Sequence, residues 1–520
     1  MRFVINNLQL FLDEEESDLS IKIAKETRTE PRFFTYSIIK KSVDSRKGQV
    51  SFIYTCLVES PLFLKGRNVR PYKEVEEVKI PASNLDSRPV VVGFGPSGMF
   101  AALVLARSGA KPIILERGKK VEEREADVET LKAKGVLDPN SNVCYGEGGA
   151  GTFSDGKLHT GVNDPHSKFV LDEFVKHGAK DDILYSATPH IGSDILKHVV
   201  VSFREEIIAL GGDILFSSCL SGIHTNKGRI DSISYTDEKG TMRKLDCSYL
   251  LLALGHSPNE TMRALFSSGL KIEPKDFSIG VRIEHLQKDI DISNYHRFAS
   301  NKKLPPSSYH SVIHLPNGRA VYSFCNCPGG YVVNSSSSLD EVLTNGMSNN
   351  ARDAINGNSA MLVNVKVDDY FHGSPLDGFE FRNSIERKAF CKDKPYFAPI
   401  ETLGGFLDND SQRPLGKIKP SYEPGVYLSS LSSYLPNFIS SSLKEAFPQL
   451  AKRQSFFADE DALLTGFETR SSSPIRIPRD ENGESNILGL YPLGEGASYA
   501  GGITSAALDG IKIALKIISK

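Results

Sequence analysis

The sequence contains no tryptophan, so tyrosine dominates its near-ultraviolet absorbance and a bound chromophore would stand apart. Cysteine is scarce, with seven in 520 residues, and the number is odd. This argues against a disulfide framework and fits a reducing compartment. An excess of either charge is also missing: the formal net charge is −2. Nothing in that balance selects a polyanion or a membrane surface as partner. The longest apolar runs, such as Tyr249–Leu254, are strand-length and far short of a membrane span. The N-terminus turns acidic almost at once and lacks a basic region followed by a long apolar one. A secretory leader is therefore not expected, and a cytoplasmic location is.

What is present is ordinary material for a globular chain, 40% hydrophobic and 24% charged. Its length predicts two or three domains. Residues 1–82 read as a small α+β module of ferredoxin-like type: a strand around Phe3-Val4-Ile5, a helix over 18–26, and strands at Phe33–Lys41 and Gln49–Ser60. Pro81-Ala82-Ser83-Asn84 reads as a linker. Residues 260–480 show few clean periodicities and read as a substrate or cap region.

The strongest signal begins after the linker. Pro89-Val90-Val91-Val92 leads into Gly93-Phe94-Gly95-Pro96-Ser97-Gly98, and a small-residue apolar helix leaves it. Gly93 permits the tight turn, Gly95 lets backbone approach a pyrophosphate, and Gly98 allows close helix–strand packing. A second strand, Pro112–Leu115, ends at Glu116, 18 residues after Gly98. A carboxylate there can accept both ribose hydroxyls of an adenosine and disfavours a 2′-phosphate. The pattern predicts a Rossmann-like α/β dinucleotide fold and leaves FAD against NAD open.

The C-terminal stretch returns to the same architecture. Leu490-Tyr491-Pro492-Leu493-Gly494-Glu495 reads as a strand meeting Gly-Glu, and a helix opens at Gly502 after a small-residue loop. Here the chain resembles glutathione-reductase-type flavoproteins. In these a C-terminal acidic residue reaches the ribityl chain and the next helix N-terminus faces the flavin pyrimidine ring. That family usually has Asp where this chain has Glu495. Further stretches narrow the resemblance: Cys144–Leu158, Leu250–Ser257, Cys325-Asn326-Cys327-Pro328-Gly329-Gly330 and Thr469–Pro474, with the basic run Lys40–Lys47. Together they resemble, over nearly the whole chain, a bacterial family of uncharacterised FAD-dependent dehydrogenases. The resemblance implies FAD and a discontinuous flavin domain. Its parts would be 88–164, 185–262 and 482–520, with a mixed α+β substrate region at 263–481. The expected cofactor contacts are Gly93, Gly95, Pro96, Ser97, Gly98, Glu116, Arg117, Gly148, Gly149, Ala150, Gly151, Thr152, Gly255, Gly494, Glu495, Gly502, Ile503 and Thr504.

Gly146–Gly151 also fits G-x-G-x-x-G, but no strand precedes it. A loop that lets backbone contact the flavin and its phosphates is the better reading. No other complete fingerprint exists, so a built-in nicotinamide domain is not expected, while a transient nicotinamide donor remains open. His256 is a candidate acid or base against a structural, hydrogen-bonded role. Cys325 and Cys327 form C-x-C, too few thiols for zinc, and Cys327 is a redox candidate against a buried structural one. Arg470 and Arg476 could bind an anionic substrate's carboxylate, or could form structural ion pairs. No metal is expected. The basic run Lys40–Lys47 raises an alternative, a flavin-binding RNA-modifying or RNA-associated protein. Residues 1–80 hold 14 Lys and Arg against 12 Asp and Glu, however, so nucleic acid is not the expected partner. The leading expectation is an FAD-dependent oxidoreductase acting on an organic small molecule.

Overall fold

The computed structural model describes residues 1–74, 77–162 and 164–519, and for Lys47 the backbone alone. Lys47's side chain in the basic run therefore lies outside the described residues. So do Val75 and Glu76 within 1–82, Asn163 within 88–164, and Lys520.

The apolar run Val90–Val92 forms the centre of a five-stranded sheet, buried on both faces. Leu250–Leu252 and Ile113–Leu115 flank it, and Leu490–Pro492 and Asp213–Leu215 close the edges. Every pairing is parallel. Continuous apolar strands suit such a sheet, because both faces are covered, one by helices and the other by the antiparallel strands Cys219–Asn226 and Arg229–Thr236 with helix Asn259–Ser267. Helix Pro96–Arg107 follows the central strand, and helix Ile503–Ile518 follows the edge strand contributed from far along the chain. The two helices cross so closely that a Cβ at Gly510 would collide with the carbonyl of Ser97.

Residues 277–468 supply a second sheet of seven strands. It runs in the order Val312–His314, Ala320–Cys327, Asn356–Val365, Phe277–Leu286, Leu463–Glu468, Ala398–Thr402, Val426–Leu428. Only the last pairing is parallel. Its two ten-residue central strands are almost wholly buried on both faces.

The N-terminal module is a four-stranded antiparallel sheet, ordered Thr35–Asp44, Ser51–Glu59, Arg2–Phe11, Val69–Pro71, with helix Leu19–Thr27 between its first two strands in sequence. A ferredoxin-like sandwich has this strand order and two crossover helices. Here residues 60–68 connect the last two strands without a helix, so the module has the strand order and the first helix of that type but not the second. Nor is the module freestanding. Lys41 N–H donates to Tyr185 O at 2.7 Å, Ala187 N–H donates to Lys41 O at 2.8 Å, and Tyr295 is buried in the module's own core. Among the described residues no helix is long and apolar enough to cross a membrane.

The helix crossing yields a first prediction. Gly510→Ala should force the two helices apart and destabilise the fold by about 1–3 kcal/mol, the usual range for overpacking. Equilibrium unfolding in urea, wild type against variant, measures the loss.

Candidate functional site

The fingerprint glycines take three different positions. Gly93 has φ 102°, and a Cβ there would collide with Ala253 O. A Cβ at Gly98 would collide with Gly93 O. At Gly95 the space is open: a Cβ would meet only Gly149 Cα, at 3.7 Å. The turn and the packing thus require Gly93 and Gly98, whereas Gly95 fronts a cradle. Pro96 begins the helix, where its missing N–H costs nothing. The Ser97 hydroxyl lies against Gly494, buried and without a hydrogen-bond partner.

Glu116 ends the second strand, buried. One carboxylate oxygen accepts from Phe94 N–H at 2.8 Å; the other accepts from Gly118 and Gly146 N–H, each at 2.9 Å. It therefore ties the first glycine turn to the second glycine loop. Arg117 turns away, donating to Asn140 Oδ1 at 2.9 Å and lying over the Tyr145 ring.

The second glycine loop follows. Gly148 N–H donates to Phe94 O at 2.9 Å, and Thr152 Oγ1 donates to Glu147 O at 2.9 Å. A short 3-10 turn, Gly149–Phe153, carries Ala150 and Gly151. A Cβ at Gly149 would stand 2.9 Å from Gly95 Cα, and one at Gly151 would touch the Pro96 and Ile503 side chains at 3.6–3.7 Å. The loop is held from beneath by a residue the sequence did not single out. Arg124, fully buried, donates to the carbonyls of Asn142, Val143, Glu147 and Gly149. Its helix, Val121–Lys134, is so rich in Glu and Lys that one inward guanidinium carries no periodic signal. Burial pushes the neighbouring Glu147 carboxyl up to about 7.

The C-terminal segment completes the ring. Gly494, at φ 74°, donates its N–H to Asp509 Oδ2 at 2.8 Å, and Arg479 forks onto the same carboxylate. Asp509 and Arg479 were also missed, because an Asp inside an apolar helix reads as incidental. A Cβ at Gly496 would collide with Gly255 O. Glu495 is half-buried with no side-chain hydrogen bond, and burial raises its carboxyl to about 7 against the pull of Lys275. Gly502 is exposed and open. Thr504 Oγ1, in the first turn after Ile503, donates to Leu158 O at 2.7 Å. The structure thus gathers the first glycine turn, the second glycine loop and the C-terminal turn at one seam, with Gly255 bordering it.

The catalytic candidates fare less evenly. His256 is half-buried, and burial, then Arg382 and Arg470, push it down to about 3. It is neutral near pH 7 and cannot donate a proton as imidazolium there. Arg470 is buried and bound to protein groups: it forks onto Glu386, donates to Ser337 Oγ at 2.7 Å and meets Glu341 at 3.1 Å. Of the two readings of Arg470, these contacts are those of the structural ion pair rather than of a grip on a substrate carboxylate. Arg476 lies over the Tyr499 ring. Cys327 is buried, with Lys157 Nζ 3.6 Å from its sulfur.

Residues 276–471 match the family model described as "FAD-dependent protein, C-terminal domain-like", and residues 2–59 match a domain of unknown function, DUF8436. An uncharacterised protein of Clostridium beijerinckii is 42% identical over 533 residues, covering 100% of this chain and 99% of its own. Among solved structures, a triple mutant of the flavin-dependent brominase Bmp2 is 12% identical over 83% of this chain and 80% of its own, with a TM-score of 0.38. The FAD-complexed glycerol-3-phosphate dehydrogenase from Bacillus halodurans is 11% identical over 83% of this chain and 65% of its own, with a TM-score of 0.33. Both structural overlaps are loose. The full-length clostridial relative and the matched model settle the kinship: the chain belongs to a family of FAD-dependent flavoproteins.

Proposed function

We propose that this protein is an oxidoreductase of glutathione-reductase-type layout that passes a hydride or electrons between FAD and an organic substrate. The observation that carries the reading is the seam itself. Three glycine segments from distant parts of the chain meet around an open Gly95, with a buried, unpartnered Ser97 hydroxyl beside Gly494. Buried polar groups are normally paired, so the Ser97 hydroxyl fits a polar guest.

The first turn of helix Pro96–Arg107 would hold the pyrophosphate on its free N–H groups. Glu116 has one oxygen with a single protein donor and so retains capacity for a ribose hydroxyl. Glu495 and Ser97 would take the ribityl hydroxyls. The N–H groups of Ile503 and Thr504 open a sixteen-residue helix toward the ring, where its positive end favours negative charge. Once bound, FAD supplies the hydride or electron chemistry. Arg470 is committed to Glu386, Glu341 and Ser337, which leaves the exposed Arg476 as the candidate partner of an anionic substrate, and a transient nicotinamide donor remains the simplest reductant.

The basic run Lys40–Lys47 does not favour the RNA alternative. Lys41 pairs with Glu16 at 2.6 Å, lies over the Phe52 and Tyr54 rings, and is bonded through its backbone to residues 185–187.

Two outcomes follow. The protein should take up FAD in preference to FMN, and Gly95→Val should lose the cofactor while remaining folded, since its side chain fills the cradle rather than the core. Flavin extraction after gel filtration, beside a circular-dichroism spectrum, checks both. In the cofactor-free protein Glu495 titrates at about 7 rather than 4.5. Its contribution to stability is therefore full below about 4.5 and lost as pH rises through about 7. Glu495→Gln should make the urea midpoint less dependent on pH across that window. A residual slope should remain, because Glu147, Glu341 and Glu468 are raised to about 7 as well.

A further inference from the structure

Strand Ala320–Cys327 runs in regular register against Asn356–Val365 as far as Phe324, which faces Ala360; Cys327 then faces Asn358. One residue too many has been fitted in between, a bulge of the kind that re-aims side chains. Cys325 takes it up in the left-handed region, at φ 47°, an uncommon conformation for a non-glycine residue. Both sulfurs then lie beside a single ammonium, Lys157 Nζ standing 3.9 Å from Cys325 Sγ and 3.6 Å from Cys327 Sγ. Arg282 donates twice to Cys325 O, at 3.1 Å each, and comes within 3.9 Å of Cys327 Sγ. Lys157 is itself paired with the buried Asp155 at 3.2 Å. The next residue, Leu158, accepts the hydroxyl of Thr504 from the first turn of helix Ile503–Ile518. The two thiols are thus anchored at the corner where the isoalloxazine is placed above.

We propose that Cys325 and Cys327 form a redox-active dithiol that exchanges two electrons with the flavin and takes a disulfide as substrate, an inference that rests on the flavin placement above. Cys325 is partly exposed and Cys327 buried, the arrangement of an attacking and a resolving thiol. Hydrogen bonding from Cys327, then the charges of Lys157 and Arg282, hold Cys325 well below the ordinary thiol range. The same partnership and burial raise Cys327. Asp155 opposes the effect at Cys325, and Glu468 and Glu495 also face that sulfur. A thiolate beside a lysine is the reactive form.

The steps balance. The Cys325 thiolate attacks one sulfur of the substrate disulfide, forming a mixed disulfide and expelling one substrate thiolate. The Cys327 thiol attacks Cys325 Sγ, closes the Cys325–Cys327 bond and releases the second substrate sulfur as a thiol, which carries the Cys327 proton. The closed pair is reopened by two electrons and one proton from reduced flavin, which restores one thiolate and one thiol. A reduced nicotinamide is the class of donor that recharges the flavin.

Holoprotein alkylated with iodoacetamide in mildly acidic buffer and mapped by mass spectrometry tests the thiolate. Cys325 should react at least about tenfold faster than Cys144, Cys219 and Cys391. Lys157→Met should remove most of that advantage and Lys157→Arg restore it. Equilibration with oxidised dithiothreitol should link Cys325 to Cys327 within one peptide. Anaerobic dithionite titration of that oxidised holoprotein should need two two-electron equivalents per flavin, against one for Cys325→Ser. A Cys325 no faster than Cys391, a failure to form the linkage, or a single equivalent in both proteins each overturns the dithiol while leaving a yellow protein intact. A colourless protein that takes up no FAD overturns the flavin reading and the electron exchange together, and the alkylation rates then stand apart from it.

Discussion

Three backbone N–H groups meeting one buried carboxylate, Glu116, organise this molecule. Phe94 belongs to the first glycine turn, Gly118 to the end of the second strand, and Gly146 to the second glycine loop. Backbone donors inside a protein need acceptors, and an ionised acceptor makes the stronger bond. Glu116 thus fixes the distance between two loops that share no sheet pairing. The close approach of Gly149 to Gly95 depends on it, and so does the cradle between them.

Other buried charges extend the same logic. Arg124 satisfies four carbonyls of the second loop, and Asp509, held by Arg479, receives the N–H of Gly494. Each converts a stretch of glycine-rich backbone, which would otherwise be disordered by its own freedom, into a fixed wall. Beside the second sheet, Arg470 and Glu386 pair in the same way, so this guanidinium is committed to protein groups.

The sequence made some of this legible and hid the rest for physical reasons. The requirements on Gly93 and Gly98 are local, so their spacing announces them; Glu116 follows at a fixed distance because one helix lies between. The C-terminal Gly494-Glu495 was legible only through resemblance, since nothing in its own spacing points to a strand about 400 residues earlier. Arg124 and Asp509 act on partners brought by tertiary folding, and no pattern along their helices marks them. The stretch 260–480 gave no alternation because Phe277–Leu286 and Asn356–Val365 are buried on both faces, which erases the period of two. His256 and Arg470 were plausible by residue type. Their roles turned on Arg382 and Glu386, which lie 126 and 84 residues away. The pairing of Lys157 with the C-x-C sulfurs, across 168 residues, was equally invisible.

The edge strand Leu490–Pro492 has a consequence for synthesis. When the central strand Val90–Val92 leaves the ribosome, one neighbour, Leu250–Leu252, must follow it, and the strand that covers that neighbour comes later still. Helix Pro96–Arg107, buried over nearly all its length, waits as long for helix Ile503–Ile518. At about 5–20 residues per second, an interval of about 400 residues leaves that apolar face uncovered for roughly 20–80 s. For that time the nascent chain carries an unpaired strand edge and one uncovered face of that helix, whose other face packs on Phe174 and Phe203.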